Sequence, residues 1–395
     1  MHIDKFEMER MQCLFENVVD YNLSESGVLP LKLSELFDSH EDEEIFLNQE
    51  LWYCESDGSP LLRERIAQFY PNCDPSNITV TNGGSEANYM TLWTLLDKEG
   101  RLACMLPNYM QAWGLGRAYA EGVDTFHLVL SEENGQKRWA LDVDELKRIV
   151  TPKTKVILVT NPNNPTGAVL NEEEMDIIVE TARKAGAWLI ADEIYRGAEI
   201  EGDTSPTFWG RYEKVVVSSG LSKAFALPGL RIGWVVAPKE LIEQVWIHHD
   251  YLTLTPGLLN DRLGAIAMEP VRREAILART RKIIRSNLPL LEEWLNEYSH
   301  LFRYARPVAG AIAYFEYDFP INSTDLINRL MKEKSVLLVP GDQFGLDKGI
   351  RVGFGYDIQK TLKGLAMMEE IIRSPVLHGA LVGLLPRDSL PLELE

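Results

Sequence analysis

From Ile78 to Val236 the chain alternates short β-branched apolar runs with longer stretches of helical character. The runs are Ile78 to Thr81, Leu102 to Leu106, Val156 to Thr160, Trp188 to Ala191, Val215 to Val217 and Ile232 to Val236, each of strand length. Such alternation predicts crossover helices over a mainly parallel sheet, an α/β domain. One helix is marked at both ends. Asn171 caps it, Glu172, Glu173 and Glu174 favour its positive end, Ile177, Ile178 and Ala182 give it an apolar face, and Gly186 stops it after Lys184. Beyond Ala278 a charge-mixed helical stretch leads to strands over Ala311 to Tyr317 and Val336 to Val339, then to a helix from Gln359, which together read as a smaller α+β unit. After Ser374 the residues Pro375, Gly379, Gly383, Pro386 and Pro391 interrupt any helix, and an irregular tail is expected.

A chain of 395 residues exceeds what one core holds, about 250 to 300 residues, so two units are expected. The large one spans 48–284. The small one combines an N-terminal arm, 1–47, with 285–374, and 375–395 is the tail. With 45% hydrophobic and 25% charged residues the composition is that of a folded globular protein. The formal net charge of −19 argues against nucleic acid or an anionic membrane surface as partner. Cys13, Cys54, Cys73 and Cys104 show no paired ligand spacing, the histidines, scattered except for His248 and His249, offer no metal spacing, and Met1 to Ser24 lacks the basic-then-apolar order of a signal segment. No apolar run is long enough to span a membrane. A reduced, cytoplasmic location is the expectation.

In open parallel sheets ligands gather beyond the carboxyl ends of the strands, and here those ends are rich. Thr81 is followed by Asn82-Gly83-Gly84-Ser85-Glu86, Leu106 by Pro107-Asn108-Tyr109, Thr160 by Asn161-Pro162-Asn163-Asn164-Pro165-Thr166-Gly167, Ala191 by Asp192-Glu193-Ile194-Tyr195, and Val217 by Ser218-Ser219-Gly220-Leu221-Ser222-Lys223. Taken singly, each has an ordinary reading. Gly83-Gly84-Ser85 is a glycine turn or, at a helix start, an anion cradle. Asp192 is a helix cap or the partner of a buried cation. Lys223 alone is an exposed first-turn lysine.

Their order and spacing change this. Ser222-Lys223-Ala224-Phe225-Ala226-Leu227-Pro228-Gly229-Leu230-Arg231-Ile232-Gly233, with Asn164-Pro165-Thr166-Gly167 and Asp192-Glu193-Ile194-Tyr195, resembles the fold-type I pyridoxal-5′-phosphate enzymes, specifically the class I/II aminotransferases, from about Asn22 to Met368. The resemblance implies a three-layer α/β fold with a mainly parallel central sheet, plus a smaller α+β domain. It implies that Lys223 bonds the cofactor and then moves a proton at the substrate α-carbon, and that Asp192 keeps the pyridine nitrogen protonated. By the same resemblance Asn164 and Tyr195 bond the cofactor 3′-oxygen and Tyr109 stacks on its ring. Arg231, Ser222 and the N–H groups of Gly84 and Ser85 hold the phosphate, and Arg351 grips the substrate α-carboxylate with Gly27 nearby. Tyr53 matches the tyrosine that reaches a neighbouring subunit's phosphate, so a homodimer with shared sites is expected. Where the family has a further serine three residues before the lysine, this chain has Gly220, and Ser219 is the candidate replacement.

The segments Glu9 to Gln12, Asn22 to Gly27 and His248 to Pro256 are similar instead to a side branch of the family that includes capreomycidine synthase and other enzymes that close a cyclic guanidine on arginine derivatives. That implies Glu9 and Glu25 facing a guanidinium. Transamination of an α-amino acid is the first expectation for the reaction; elimination and cyclisation of an arginine derivative is the alternative. A non-catalytic cofactor-binding regulator would not need Lys223, Asp192 and Arg351 together, the residues before Glu50 are too few for a DNA-binding module, and a nicotinamide enzyme would need a Gly-x-Gly-x-x-Gly turn.

Overall fold

The computed structural model describes residues 2–133, 135–318 and 320–372; the expected tail lies outside them. In chain order the strands begin with β1 (Tyr21–Asn22) in the N-terminal arm. Then come β2 (Ile78–Thr81), β3 (Arg101–Leu106), β4 (Gly122–Glu133), β5 (Gln136–Leu141), β6 (Thr154–Thr160), β7 (Trp188–Asp192), β8 (Val215–Gly220) and β9 (Gly233–Val236). The C-terminal part holds β10 (Phe302–Tyr304), β11 (Ile312–Tyr317), β12 (Val336–Leu337), β13 (Val339–Pro340) and β14 (Gly349–Gly353).

The large sheet has eight strands in the order β2-β9-β8-β7-β6-β3-β4-β5. From β8 to β4 all neighbours are parallel. Strand β9 runs antiparallel to both β8 and β2, so β2 points the same way as β8. The carboxyl ends of β2, β3, β6, β7 and β8 therefore share one edge, which is what brings the sequence motifs together. Alternate residues of these strands feed two cores. Leu102, Cys104, Val156, Leu158, Ile190, Val216 and Val235 pack beneath the helices Gly84–Leu95, Gln111–Tyr119 and Lys239–His249. Ala103, Met105, Ile157, Val159, Leu189, Ala191, Val215 and Val217 join the other core, with Met175, Ile178 and Ala182 of helix Glu172–Ala185. Burial on both faces explains why the strands read as continuous apolar runs.

Helix Glu172–Ala185 has the expected ends. Asn171 and Glu174 form a reciprocal capping box, and Gly186 closes the helix at φ +69°. The hairpin β4–β5 was not anticipated; Asp124 and His127 break up its apolar residues, and only Phe126 and Leu128 of β4 are buried.

The second unit is an antiparallel sheet in the order β10-β11-β14-β13, with helices Ser323–Lys334 and Ile358–Ile372. The single strand expected over Val336 to Val339 is split: β12 pairs parallel with β1 of the arm, while β13 pairs with β14. This is a correction with a clear cause, since the arm takes the first half of the run as its partner. The expected division at 284 falls inside one continuous helix, Pro270–Glu297, which serves both units. Among the described residues no helix is long and apolar enough to cross a membrane.

Candidate active site

At the shared strand edge, roofed by the N-terminal arm, lies a cavity of about 530 Å³. Lys223, Asp192, Tyr195, Asn164, Tyr109, Gly84, Ser85, Ser222, Arg231, Arg351, Glu9 and Glu25 all line it. Two expected residues do not. Tyr53 is 72% exposed and stands away from the cavity of its own chain. Gly27 gives its N–H to Glu25 Oε1 (2.8 Å), so that donor is already engaged.

One end of the cavity is built around the start of helix Gly84–Leu95. The N–H groups of Glu86 and Ala87 reach back to the Gly83 carbonyl, which leaves those of Gly84 and Ser85 as the orphan donors of the first turn. Arg231, held at φ +47°, lies against them. Gly83 is required by its backbone, at φ +97°, and Gly233 by close approach, since a Cβ there would come 2.3 Å from the Gly83 carbonyl carbon. Arg231 Nη1 also donates to Ser222 Oγ at 3.4 Å. Ser219 does not replace the missing serine: its hydroxyl is buried and donates to the Glu193 carbonyl (3.2 Å). Gly220 has no room for a side chain, since a Cβ there would meet the Ile232 carbonyl at 2.7 Å.

The opposite end of the motif set is anchored by Asp192, at the tip of β7. Its Oδ2 accepts from Asn88 Nδ2 (2.9 Å) and its Oδ1 from the Ile194 N–H (3.1 Å). Asn88 is oriented in turn by the Ser218 hydroxyl, which donates to Oδ1 at 2.6 Å. Burial pushes the Asp192 carboxyl up from its ordinary range, against the pull of those donors. Asn88 was not foreseen, although it sits one helical turn after Gly84 and hence on the same face. Tyr109 is fixed by its own N–H to Asn108 Oδ1 (2.7 Å), which also accepts from Thr160 Oγ1 (2.7 Å). The Tyr109 hydroxyl donates to Glu9 Oε1 at 2.8 Å, and the ring packs on Phe6 at 4.9 Å.

Arg351, in the middle of β14, is 1% exposed. It donates to Asn164 Oδ1 (2.9 Å) and to the Ser24 carbonyl, and sits over the Phe344 ring at 5.1 Å. Its Nε has no partner among the described residues. Lys223 Nζ lies 3.0 Å from Glu25 Oε1. Burial would raise Glu25, yet the Lys223 ammonium and the Gly27 N–H bring it down to about 2. A third carboxylate, Glu16, completes the acidic wall; burial and the neighbouring Glu25 and Glu9 raise it. It too was missed, though Glu9, Gln12 and Glu16 repeat at the spacing of one helix face.

A match to the family model described as "Aminotransferase class I and II" runs over residues 47–366. The chain belongs to that family. A pyridoxal-phosphate-dependent aminotransferase from Streptococcus suis superposes with a TM-score of 0.85 at 30% identity, over 94% of this chain and 98% of that one. The pyridoxal-phosphate-dependent cyclase OrfR superposes at 0.82 and 27% identity, over the same shares. Capreomycidine synthase of Streptomyces vinaceus is 29% identical over 295 residues, 74% of each chain. This aminotransferase-family protein is thus a pyridoxal-phosphate-dependent enzyme of α/β fold type I. Its residues fit that cofactor: a glycine-led helix start beside an arginine would take the phosphate, a half-buried strand-end carboxylate the ring nitrogen, and a cavity lysine the aldehyde. Among the described residues no group of three His, Cys, Asp or Glu could hold a metal ion.

Proposed function

We propose that this enzyme acts on an α-amino acid with a cationic side chain, and that transamination is its reaction. The observation that carries the reading is the charge pattern of the cavity. Glu9, Glu16 and Glu25 gather on the arm, while the only lining arginines among the described residues are Arg231 and Arg351. One arginine serves the phosphate and one the α-carboxylate, which leaves none for a side-chain carboxylate and, with Glu25 paired to Lys223, Glu9 and Glu16 for a guanidinium or ammonium group.

In this reading Lys223 carries the cofactor and, once released by the substrate amine, takes the α-proton. Bound pyridoxal phosphate supplies an electron sink for the pair that the α-carbon keeps. Asp192, steadied by Asn88, faces the ring nitrogen, and Asn164 and Tyr195 face the 3′-oxygen. Tyr109 covers the ring, while Gly84, Ser85, Ser222 and Arg231 hold the phosphate. Arg351 clamps the α-carboxylate so that the Cα–H bond is presented to Lys223.

The active unit in this reading is a homodimer. Exposed apolar residues concentrate in two segments, with Ile45, Leu47, Leu51, Trp52 and Tyr53 in one and Trp246, Ile247, Tyr251 and Leu254 in the other. The segments are joined where Trp246 Nε1 donates to Ser56 Oγ (3.0 Å). A patch of this kind suits a second copy, to whose phosphate Tyr53 would extend.

Similarity to capreomycidine synthase and to the cyclase OrfR supports a second reading, in which a side-chain group leaves and the guanidine closes a ring. The test incubates the holoenzyme separately with arginine, hydroxylated arginine, lysine and aspartate and identifies the products by mass spectrometry. A keto acid from a cationic substrate supports transamination, and a cyclic guanidino amino acid selects the second reading. Preference for aspartate, with no loss on Glu16→Gln, overturns the substrate class.

A further inference from the structure

We propose that Glu25 is a positioning residue for Lys223: an anion on the N-terminal arm that holds the lysine amino group in place and keeps a proton on it. Glu25 Oε1 lies 3.0 Å from Lys223 Nζ. The same oxygen accepts the N–H groups of Ser26 (2.9 Å) and Gly27 (2.8 Å), so the direction of the carboxylate is set by its own backbone. The arm packs directly on the segment that carries the lysine, because a Cβ on Gly27 would stand 3.6 Å from the Ser222 carbonyl. It is anchored on either side of Glu25. Before it, the Leu23 N–H donates to the Leu337 carbonyl (2.8 Å); after it, Val28 bridges to Gly355. Burial by itself drives both groups toward neutrality, but each is the opposite charge nearest the other: Glu25 stays near 2 and Lys223 lies above its ordinary value.

The inference rests on Lys223 being the residue that carries pyridoxal phosphate. In turnover the substrate amine takes the lysine's place and frees Nζ. When the Cα–H bond breaks, its proton passes to Nζ, and bound pyridoxal phosphate would supply the sink for the electron pair left on the α-carbon. Glu25 stabilises the ammonium so formed. It thereby holds the proton on Nζ, within reach of the reacting carbons, until it is handed on.

The test follows the visible absorption of the lysine-bound cofactor as pH is varied, in wild-type holoenzyme, Glu25→Gln and Glu25→Asp. An anion within contact distance favours the protonated nitrogen, so Glu25→Gln is expected to lower the pH midpoint by about one to three units, with Glu25→Asp between the two. An unchanged midpoint in a Gln variant with wild-type circular dichroism overturns the proposal. If the Gln variant does not fold, Glu25→Asp decides: a lowered midpoint supports the proposal, and a wild-type midpoint overturns it. A wild-type visible band that persists in Lys223→Ala as a borohydride-reducible protein adduct would sink the underlying assignment of Lys223, and with it this inference, whereas a normal band with an unmoved midpoint sinks this inference alone.

Discussion

In the proposed reading substrate orientation falls to Arg351, whose guanidinium is buried and whose Nε has no partner among the described residues. A lysine there keeps the charge but loses the planar fork. Arg351→Lys is expected to raise KM about ten- to a hundred-fold, the worth of one or two charge-assisted hydrogen bonds, as read by steady-state kinetics. Glu16 gives a pH prediction. Its pKa is raised by burial and by Glu25 and Glu9, so it gains a proton at a higher pH than an ordinary carboxyl of 4.5. As pH falls through that raised value the wall loses charge, and KM for a cationic substrate should climb while that for a neutral amino acid stays level; Glu16→Gln should abolish the difference. Sequence pointed to Lys223 and Asp192 through spaced motifs at strand ends, and to Arg351, inside β14, through the family resemblance, and all three line the cavity. It did not reveal Asn88 or Glu16, whose importance depends on which helix face meets the cavity, nor that Ser219 turns inward to the Glu193 carbonyl.

Elements explain why two glycines that look alike in sequence differ in consequence. Gly186 ends its helix at φ +69° with open space around it, so Gly186→Ala should cost about 1 kcal/mol in urea unfolding and leave cofactor affinity unchanged. Gly233 begins β9 with the Gly83 backbone where its Cβ would be, so Gly233→Ala should push the helix start out of line and weaken cofactor retention, measured by dialysis and absorbance. The fully buried strands were legible because both faces demand apolar residues. The edge hairpin β4–β5 was not, because a strand covered on few positions tolerates polar residues and leaves no continuous run.

For the whole molecule, the proposed dimer predicts that Trp52→Glu, placed in a 77% exposed position, yields monomers in sedimentation with reduced cofactor affinity. A wild-type monomer with full affinity would contradict it. The division between units was blurred in sequence because helix Pro270–Glu297 belongs to both, and a helix shared in this way favours unfolding in a single transition. The arm contributes differently. Its residues from Glu9 to Glu25 supply three of the four acids that line the cavity, while the residues expected at the cofactor, Tyr53 excepted, come from strand ends further along the chain. In the proposed reading the arm therefore bears on substrate preference through Glu9 and Glu16 and on the catalytic lysine through Glu25, and the short β1–β12 ladder helps hold it in place. Exchanging this arm between relatives would then give one catalytic body a new diet, with the acid at position 25 as the residue to keep if the lysine is to behave as before.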